Sequence, residues 1–247
     1  MVLNGTEETL IKSKRRVQKH GEVFTPKWMV EKMLNTPGVK EACETLEATF
    51  LEPGAGEGAF LVEILRRKLE MISEKYNETI KQYENYSLYA LSTLYGVELL
   101  EDNMKACVVN LYQIYLDFYL DALKKHDKPR QQNVLQSAMV IAAANVRRGN
   151  FLTKKTPDDQ PIIFSEWKSP KPLGKSKTIN VIRTEYTFED IINKVANEPG
   201  RVYQNTGPKG QMDLFNLFSF TENQEKEVKM KYVEVSISNV YSEEMEY

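Results

Sequence analysis

The sequence lacks several features that would assign it to a specialised class of protein. Its 247 residues include only two cysteines, Cys43 and Cys107, whose spacing matches neither a disulfide framework nor a zinc site. No apolar run approaches the roughly 18 residues that a membrane-spanning helix needs, and the N-terminus carries no apolar signal segment. We therefore expect a soluble protein of the reducing cytoplasm, with no membrane partner.

An excess of charge of one sign is also missing. The chain has 33 Lys and Arg residues against 35 Asp and Glu residues, a formal net charge of −2, unlike a dedicated nucleic-acid-binding protein. Any contact with DNA must therefore come from local basic clusters, each of which could equally be a solvated face. Two such clusters are Lys12, Lys14, Arg15, Arg16 and Lys19, and Lys168, Lys171, Lys175, Lys177 and Arg183.

The most informative segment is a glycine-rich turn in residues 50–61, Phe-Leu-Glu-Pro-Gly-Ala-Gly-Glu-Gly-Ala-Phe-Leu. The pattern predicts the first strand of a parallel sheet, a tight turn and the start of a helix. Glycines at every second position allow positive φ angles and leave N–H groups accessible to a ligand. Glu52, at the end of the strand, suits a cationic amino group, whereas a nucleoside-triphosphate loop would need Gly-Lys-Ser or Gly-Lys-Thr.

Two later segments also place polar residues after apolar ones. Leu94–Leu99 predicts a second strand that ends near Glu98, a carboxylate suited to ribose hydroxyls or, alternatively, a surface residue at a helix start. The apolar segment 134–144, a helix or a strand, leads to Asn150 and Phe151. These two could contact a ligand, or form an ordinary turn beside a core phenylalanine.

Periodicity outlines the remaining elements. An apolar stripe after Gly58 predicts a helix through residue 72, and Thr25 and Pro26 predict the N-cap and first position of an earlier helix. The aromatic residues of 112–123 are expected in the core. Residues 73–87 suggest a polar insertion or helical extension, 186–195 a helix, and 232–240 a strand.

Residues 51–60 closely resemble the cofactor motif of S-adenosylmethionine-dependent DNA amino-methyltransferases, especially the adenine N6 group. Residues 20–26, His-Gly-Glu-Val-Phe-Thr-Pro, resemble the motif that precedes it in these enzymes. The resemblance implies that the Phe-Thr-Pro segment closes over the methionine end of the cofactor, whose amino group the acidic residue holds. The implied cofactor-binding residues are Phe24, Thr25, Pro26, Glu52, Pro53, Gly54, Ala55, Gly56, Gly58, Phe60, Glu98, Asn150 and Phe151.

The same resemblance implies an α/β fold, the Rossmann-like doubly wound sheet of class I methyltransferases with a short irregular C-terminal portion. Residues 26–195 would form this domain, after a basic arm and cofactor-closing motif in 1–25 and before a loop and acidic tail in 196–247. The implied activity is DNA adenine N6 methylation, as found in restriction–modification, phage or mobile-element systems.

The catalytic motif of the resembled family is missing. That family uses Asn or Asp, two prolines and an aromatic residue to hold a flipped base, and this chain contains no Pro-Pro. After the strand expected at 161–164, Ser165 and Trp167 are the remaining catalytic candidates, although Trp167 could simply be structural. The alternative function is therefore a catalytically inactive module that binds DNA, a clamp or a partner subunit; methylation of a small molecule or a protein is a third hypothesis.

A short motif near the C-terminus suggests a further partner. Gln211-Met212-Asp213-Leu214-Phe215 resembles the peptide by which bacterial proteins bind the replication sliding clamp, and it follows a loop rich in proline and glycine. Adjacent apolar residues in a flexible peptide can dock into a groove. The same residues could instead pack into the core of the chain.

Overall fold

The computed structural model describes residues 11–174, 176–203, 230–242 and 245–246. Its centre is a parallel sheet of three strands, in the order β1 (Phe50–Glu52), β2 (Leu94–Glu98) and β3 (Val146–Arg148). Because these strands run in parallel, their carboxyl ends meet at one edge of the sheet, where α/β proteins bind ligands. The predicted first and second strands are thus confirmed.

Eight α-helices are described, and the four longest form a layer against the sheet. In the second strand, Gly96 faces this layer, since a side chain there would lie 3.0 Å from Leu61. The helices are α1 (Lys14–His20), α2 (Lys27–Leu34), α3 (Val39–Cys43), α4 (Ala59–Lys75), α5 (Ile80–Ser92), α6 (Glu101–His126), α7 (Gln132–Asn145) and α8 (Phe188–Ile192).

The helix predicted after the glycine turn is confirmed as α4. It begins after Gly58, which has φ 92°, and a Cβ at this position would lie 2.7 Å from the Cys107 sulfur on α6. Glycine therefore lets the two helices approach closely. The stripe on α4 is buried as expected, at Leu61, Ile64, Leu65, Leu69 and Ile72.

A doubly wound fold carries helices on both faces of its sheet, but here the opposite face is covered by other elements. There, β4 (Ile163–Lys168) and β5 (Asn180–Thr187) form an antiparallel pair, followed by the short helix α8. Tyr95 and Val97 of β2 pack against this pair. The described chain is thus a mixed α/β structure with a three-stranded parallel sheet, and its second face carries two antiparallel strands where long helices were expected.

Several predicted boundaries were wrong. The segment 73–87 is mostly the buried helix α5, which supplies Tyr83 and Tyr86 to the core. The segment 186–195 begins as the end of β5, because β-branched residues continue the strand to Thr187, whose side chain then caps α8. Pro26, with extended backbone angles, is the N-cap of α2, one residue later than predicted.

The C-terminal segment returns to the main core. Strand β7 (Val235–Ser236) pairs with β5, and a 3₁₀ helix follows at Ile237–Ser242, where Ile237 and Val240 are buried. The single strand predicted for 232–240 is therefore wrong: Tyr232 ends one short strand, residues 235–236 form another in a different sheet, and the 3₁₀ helix begins at residue 237. Strands β6 (Lys231–Tyr232) and β8 (Met245–Glu246) form a separate antiparallel pair.

Across the described ranges, no helix is both long and apolar enough to cross a membrane.

Candidate functional site

A pocket of about 520 Å³ lies at the carboxyl end of β1, between the glycine turn and the segment before α2. It brings together residues that are 30 positions apart in the sequence. Of the predicted cofactor-binding residues, it is lined by Phe24, Thr25, Pro26, Glu52, Gly54, Ala55, Gly56 and Phe60.

The turn itself is held tightly. The Ala55 N–H donates to the Val97 carbonyl at 2.9 Å, and the Gly58 N–H donates to the Ala55 carbonyl at 2.8 Å. Gly56 has φ 54°, and a Cβ there would lie 3.7 Å from the Phe24 ring. Phe24 therefore covers the turn, and the absence of a side chain at Gly56 leaves space between them.

Glu52 is the unusual group in this pocket. Its side chain is partly buried, and burial raises the pKa of the carboxyl, which a hydrogen bond from the Gly54 N–H opposes. Among the described residues, no lysine or arginine forms an ion pair with it. Arg66 and Lys27 line the same pocket, but Arg66 pairs with Glu63 and Glu70, and Lys27 pairs with Glu31. A desolvated carboxylate without a cation favours a cationic ligand.

Glu98, at the end of β2, is used differently. One carboxylate oxygen accepts from the Gly56 N–H at 2.8 Å and the other from the Leu100 N–H at 2.9 Å. The residue is 8% exposed and does not line the pocket around Glu52. In this structure Glu98 fastens the glycine turn to the start of α6, and the predicted contact with ribose hydroxyls stays a prediction.

Asn150 and Phe151 follow β3, and their side chains lie in different surroundings. Asn150 lines a second pocket of about 550 Å³ beside Leu99 and Leu100, the residues that follow Glu98. Its side-chain oxygen accepts from the Leu152 N–H at 2.9 Å. Phe151 packs on Phe188, with ring centroids 5.1 Å apart, in the small core on the second face of the sheet.

The remaining two predicted residues, Pro53 and Gly58, do not line the pocket around Glu52. Pro53 lies within the turn, directly after β1. Gly58 lies at the start of α4, where the contact with Cys107 requires a glycine. Both shape the turn without lining the cavity.

Ionic contacts that were not predicted anchor the N-terminal segment over the site. Arg16 donates to Glu22 at 2.7 Å and to Asp102, in the first turn of α6, at 2.9 Å. Lys12 lies 2.7 Å from Glu57 of the glycine turn. Hydrogen bonds from Arg16 and from Lys12, the latter at 3.2 Å, hold the pKa of Asp102 well below its usual range. Two members of the first basic cluster are therefore engaged within the protein, which leaves fewer cations for DNA.

The two catalytic candidates are buried within a strand, and their catalytic role stays a prediction. Ser165 and Trp167 are 2% and 3% exposed within β4, and neither lines the pockets described above. The Ser165 hydroxyl accepts from Arg183 at 2.9 Å, and the Trp167 indole N–H donates to the Asn145 side chain at 3.2 Å. Because residues 163–168 pair with β5, these side chains are part of the packing between strands and helices.

Comparisons of this chain with protein-family models, curated proteins and solved structures find no match. The motif at Gln211–Phe215 lies outside the described residues, and sliding-clamp binding stays a prediction.

Proposed function

We propose that this chain binds S-adenosylmethionine at the carboxyl ends of β1 and β2, as a DNA adenine N6 methyltransferase-like protein. The observation that supports the proposal most is the partly buried Glu52 carboxylate, which has no cationic partner among the described residues and faces a pocket closed by Phe24. A carboxylate in this setting is complementary to an ammonium group.

The surroundings of Glu52 fit the methionine end of this cofactor. The turn at Gly54 and Gly56 presents backbone close to the cavity, and Phe24 supplies an apolar cover. The second pocket, beside Leu100 and Asn150, would take the adenosine end, since both pockets lie at the same edge of the sheet. When bound, the cofactor supplies an activated methyl group, and these residues would hold and orient it.

A second candidate function is a cofactor-binding module that does not itself transfer the methyl group. Two observations favour it: Ser165 and Trp167 are buried in other contacts, and β1 pairs only with β2 in the described chain. The Phe50 N–H donates to the Thr93 carbonyl, on the side where β2 lies. Backbone groups of successive residues point to opposite edges of a strand, so those of Leu51, which is 39% exposed, point to the edge of β1 away from β2. A partner subunit could supply the missing strand and base pocket there.

Titration calorimetry with S-adenosylmethionine tests the binding proposal. We expect Glu52→Gln to weaken binding by about 10-fold to 100-fold, because it replaces a charged hydrogen-bond acceptor with a neutral one. Glu57→Gln is the matched control, since Glu57 lines the same pocket but pairs with Lys12. Absence of binding, or equal affinities for wild type and Glu52→Gln, would refute the cofactor assignment.

A transfer assay separates the two candidate functions. The full chain is incubated with cofactor carrying a labelled methyl group and with DNA of varied sequence, with and without candidate partner chains. Label on adenine in the absence of a partner supports a complete methyltransferase. Tight cofactor binding with transfer only when a partner is added supports the module.

A further inference from the structure

A groove of about 810 Å³ runs along the edge of β3 that no other described strand pairs with, separate from the pocket around Glu52. Its walls come from α6, from the end of α7 and from the loop that leads to β4, and Tyr203 closes one side. Most of its lining is apolar, including Met104, Val108, Val109, Ala143, Val146 and Ile163.

Arg147 lies among the charged and polar residues of this lining, which also include Lys105, Arg148, Thr156, Asp158 and Gln160. It lies opposite Val97 in the sheet register, so its side chain is on the face that carries β4 and β5. The residue is partly buried and forms no hydrogen bond or ion pair with any described residue. Burial and the nearby charge of Arg183 lower the pKa of the guanidinium, and the negative charge of Glu185 opposes this shift.

Unlike Arg147, the neighbouring cations each form an ion pair with a carboxylate. Arg148, next in the strand, pairs with Glu101 at 2.8 Å, and Lys105 pairs with the same carboxylate at 2.7 Å. Arg183 donates to Ser165 and to Glu185. Arg147 is thus a partly desolvated cation that forms no ion pair of its own with the described residues. The carboxylate whose charge it feels, Glu185, already accepts from Arg183, from the Tyr203 N–H and from the Tyr232 hydroxyl. A partly buried cation in this situation is stabilised when an anion pairs with it.

We propose that this groove binds a small organic anion whose carboxylate or phosphate pairs with Arg147 and whose apolar body lies against the apolar lining of the groove. The planar guanidinium presents two parallel N–H groups, which match the two oxygens of either group. A cavity of this volume encloses a molecule of ordinary ligand size. The groove shares Arg148, Thr156 and Pro157 with the pocket beside Asn150. The inference does not depend on the cofactor assignment, because Arg147 lines neither that pocket nor the pocket around Glu52.

The probes are two anions, each with a neutral counterpart. Thymidine 5′-monophosphate is compared with thymidine, and phenylacetate with phenylacetamide, by calorimetry and by the thermal melting of the whole chain. We expect at least one anion to bind and to raise the melting temperature, and its neutral counterpart to bind at least about tenfold more weakly. The stronger of the two anions identifies phosphate or carboxylate as the preferred group.

Two neighbouring substitutions locate the site. Arg147→Met keeps much of the side-chain volume, and we expect it to abolish the response to the anion while the unliganded variant melts no lower than wild type. Arg148 also lines the groove but pairs with Glu101, so Arg148→Met should weaken the response less than Arg147→Met does. The inference is wrong if neither anion binds, or if Arg147→Met retains wild-type affinity.

A spectroscopic measurement covers the case in which Arg147→Met does not fold. In the wild-type chain labelled with ¹⁵N-arginine, the Nε–H resonance of Arg147, assigned with Arg147→Lys, should shift on addition of the anion. A shift confined to the resonance of Arg148 would place the anion in the neighbouring pocket beside Asn150 and would overturn the inference.

Discussion

Glu52 and Glu98 end two adjacent parallel strands, yet the structure uses them in opposite ways. Both carboxylate oxygens of Glu98 accept hydrogen bonds from backbone N–H groups, at 2.8 and 2.9 Å. Glu52 accepts from the nearby Gly54 N–H, faces a pocket and has a pKa that burial raises. The position at the end of a strand therefore does not decide the role of a carboxylate. The hydrogen-bonding partners of the carboxylate decide its role. A carboxylate whose oxygens accept from backbone N–H groups stabilises the fold, whereas one with oxygens left over can bind a ligand.

The largest effect on stability is expected at Glu98. Glu98→Ala leaves the N–H groups of Gly56 and Leu100 without their acceptor, and we expect the free energy of unfolding to fall by about 2 kcal/mol. Denaturation by urea measures this loss. Glu98→Gln, which keeps one acceptor oxygen, should lose less. A variant Glu98→Ala as stable as wild type would contradict the fastening role of this side chain.

At Glu52 the expected effect has the opposite sign and depends on pH. Because burial raises its pKa, the folded state holds a proton in a pH range where the unfolded state has lost it. The stability contributed by this group therefore falls as pH rises from the ordinary glutamate pKa to the raised value, and the cost persists at neutral pH. Glu52→Gln should thus be more stable than wild type at neutral pH.

The comparison of wild type with Glu52→Gln is made by urea denaturation across the acidic range. The gain in unfolding free energy should shrink as pH falls toward the ordinary glutamate pKa, where the wild-type carboxyl is also neutral. Glu57→Gln, which loses the ion pair with Lys12, should show no gain at neutral pH. A pH-independent difference for Glu52→Gln would argue that its carboxyl is solvated.

The regions on the two faces of the sheet also differ in how well the sequence predicts them. The strand, turn and helix of residues 50–75 follow from local rules: an apolar run, glycines at the turn and a helical stripe. The strand expected at 161–164 is found two residues later and is longer, as β4 at Ile163–Lys168, but its pairing was not predicted. Periodicity identifies a strand without identifying its neighbour, and the antiparallel pairing of Trp167 with Arg183 depends on contacts distant in sequence.

The candidate site shows the same limit. Motif resemblance, not periodicity, suggested that Phe24 and Glu52 belong to one site, and the fold places both in one pocket. The partners of Glu98 could not be predicted, because an N–H group 42 residues away carries no local signal. The anchoring of Arg16 by Asp102 was missed for the same reason, although an acidic first turn of α6 is visible in the sequence.

The smallest effect is expected from loosening the N-terminal segment, which covers the pocket of Glu52. Asp102→Asn removes the carboxylate that Lys12 and Arg16 share, but leaves the Arg16 contact with Glu22. Exposed ion pairs contribute little, so affinity for S-adenosylmethionine should fall by less than about fivefold, and raising the salt concentration should narrow the difference from wild type. Asp121→Asn, which breaks an exposed pair with Lys124 near the other end of α6, is the matched control. A loss as large as that of Glu52→Gln would mean that the ionic anchor, rather than the strand-end carboxylate, dominates binding.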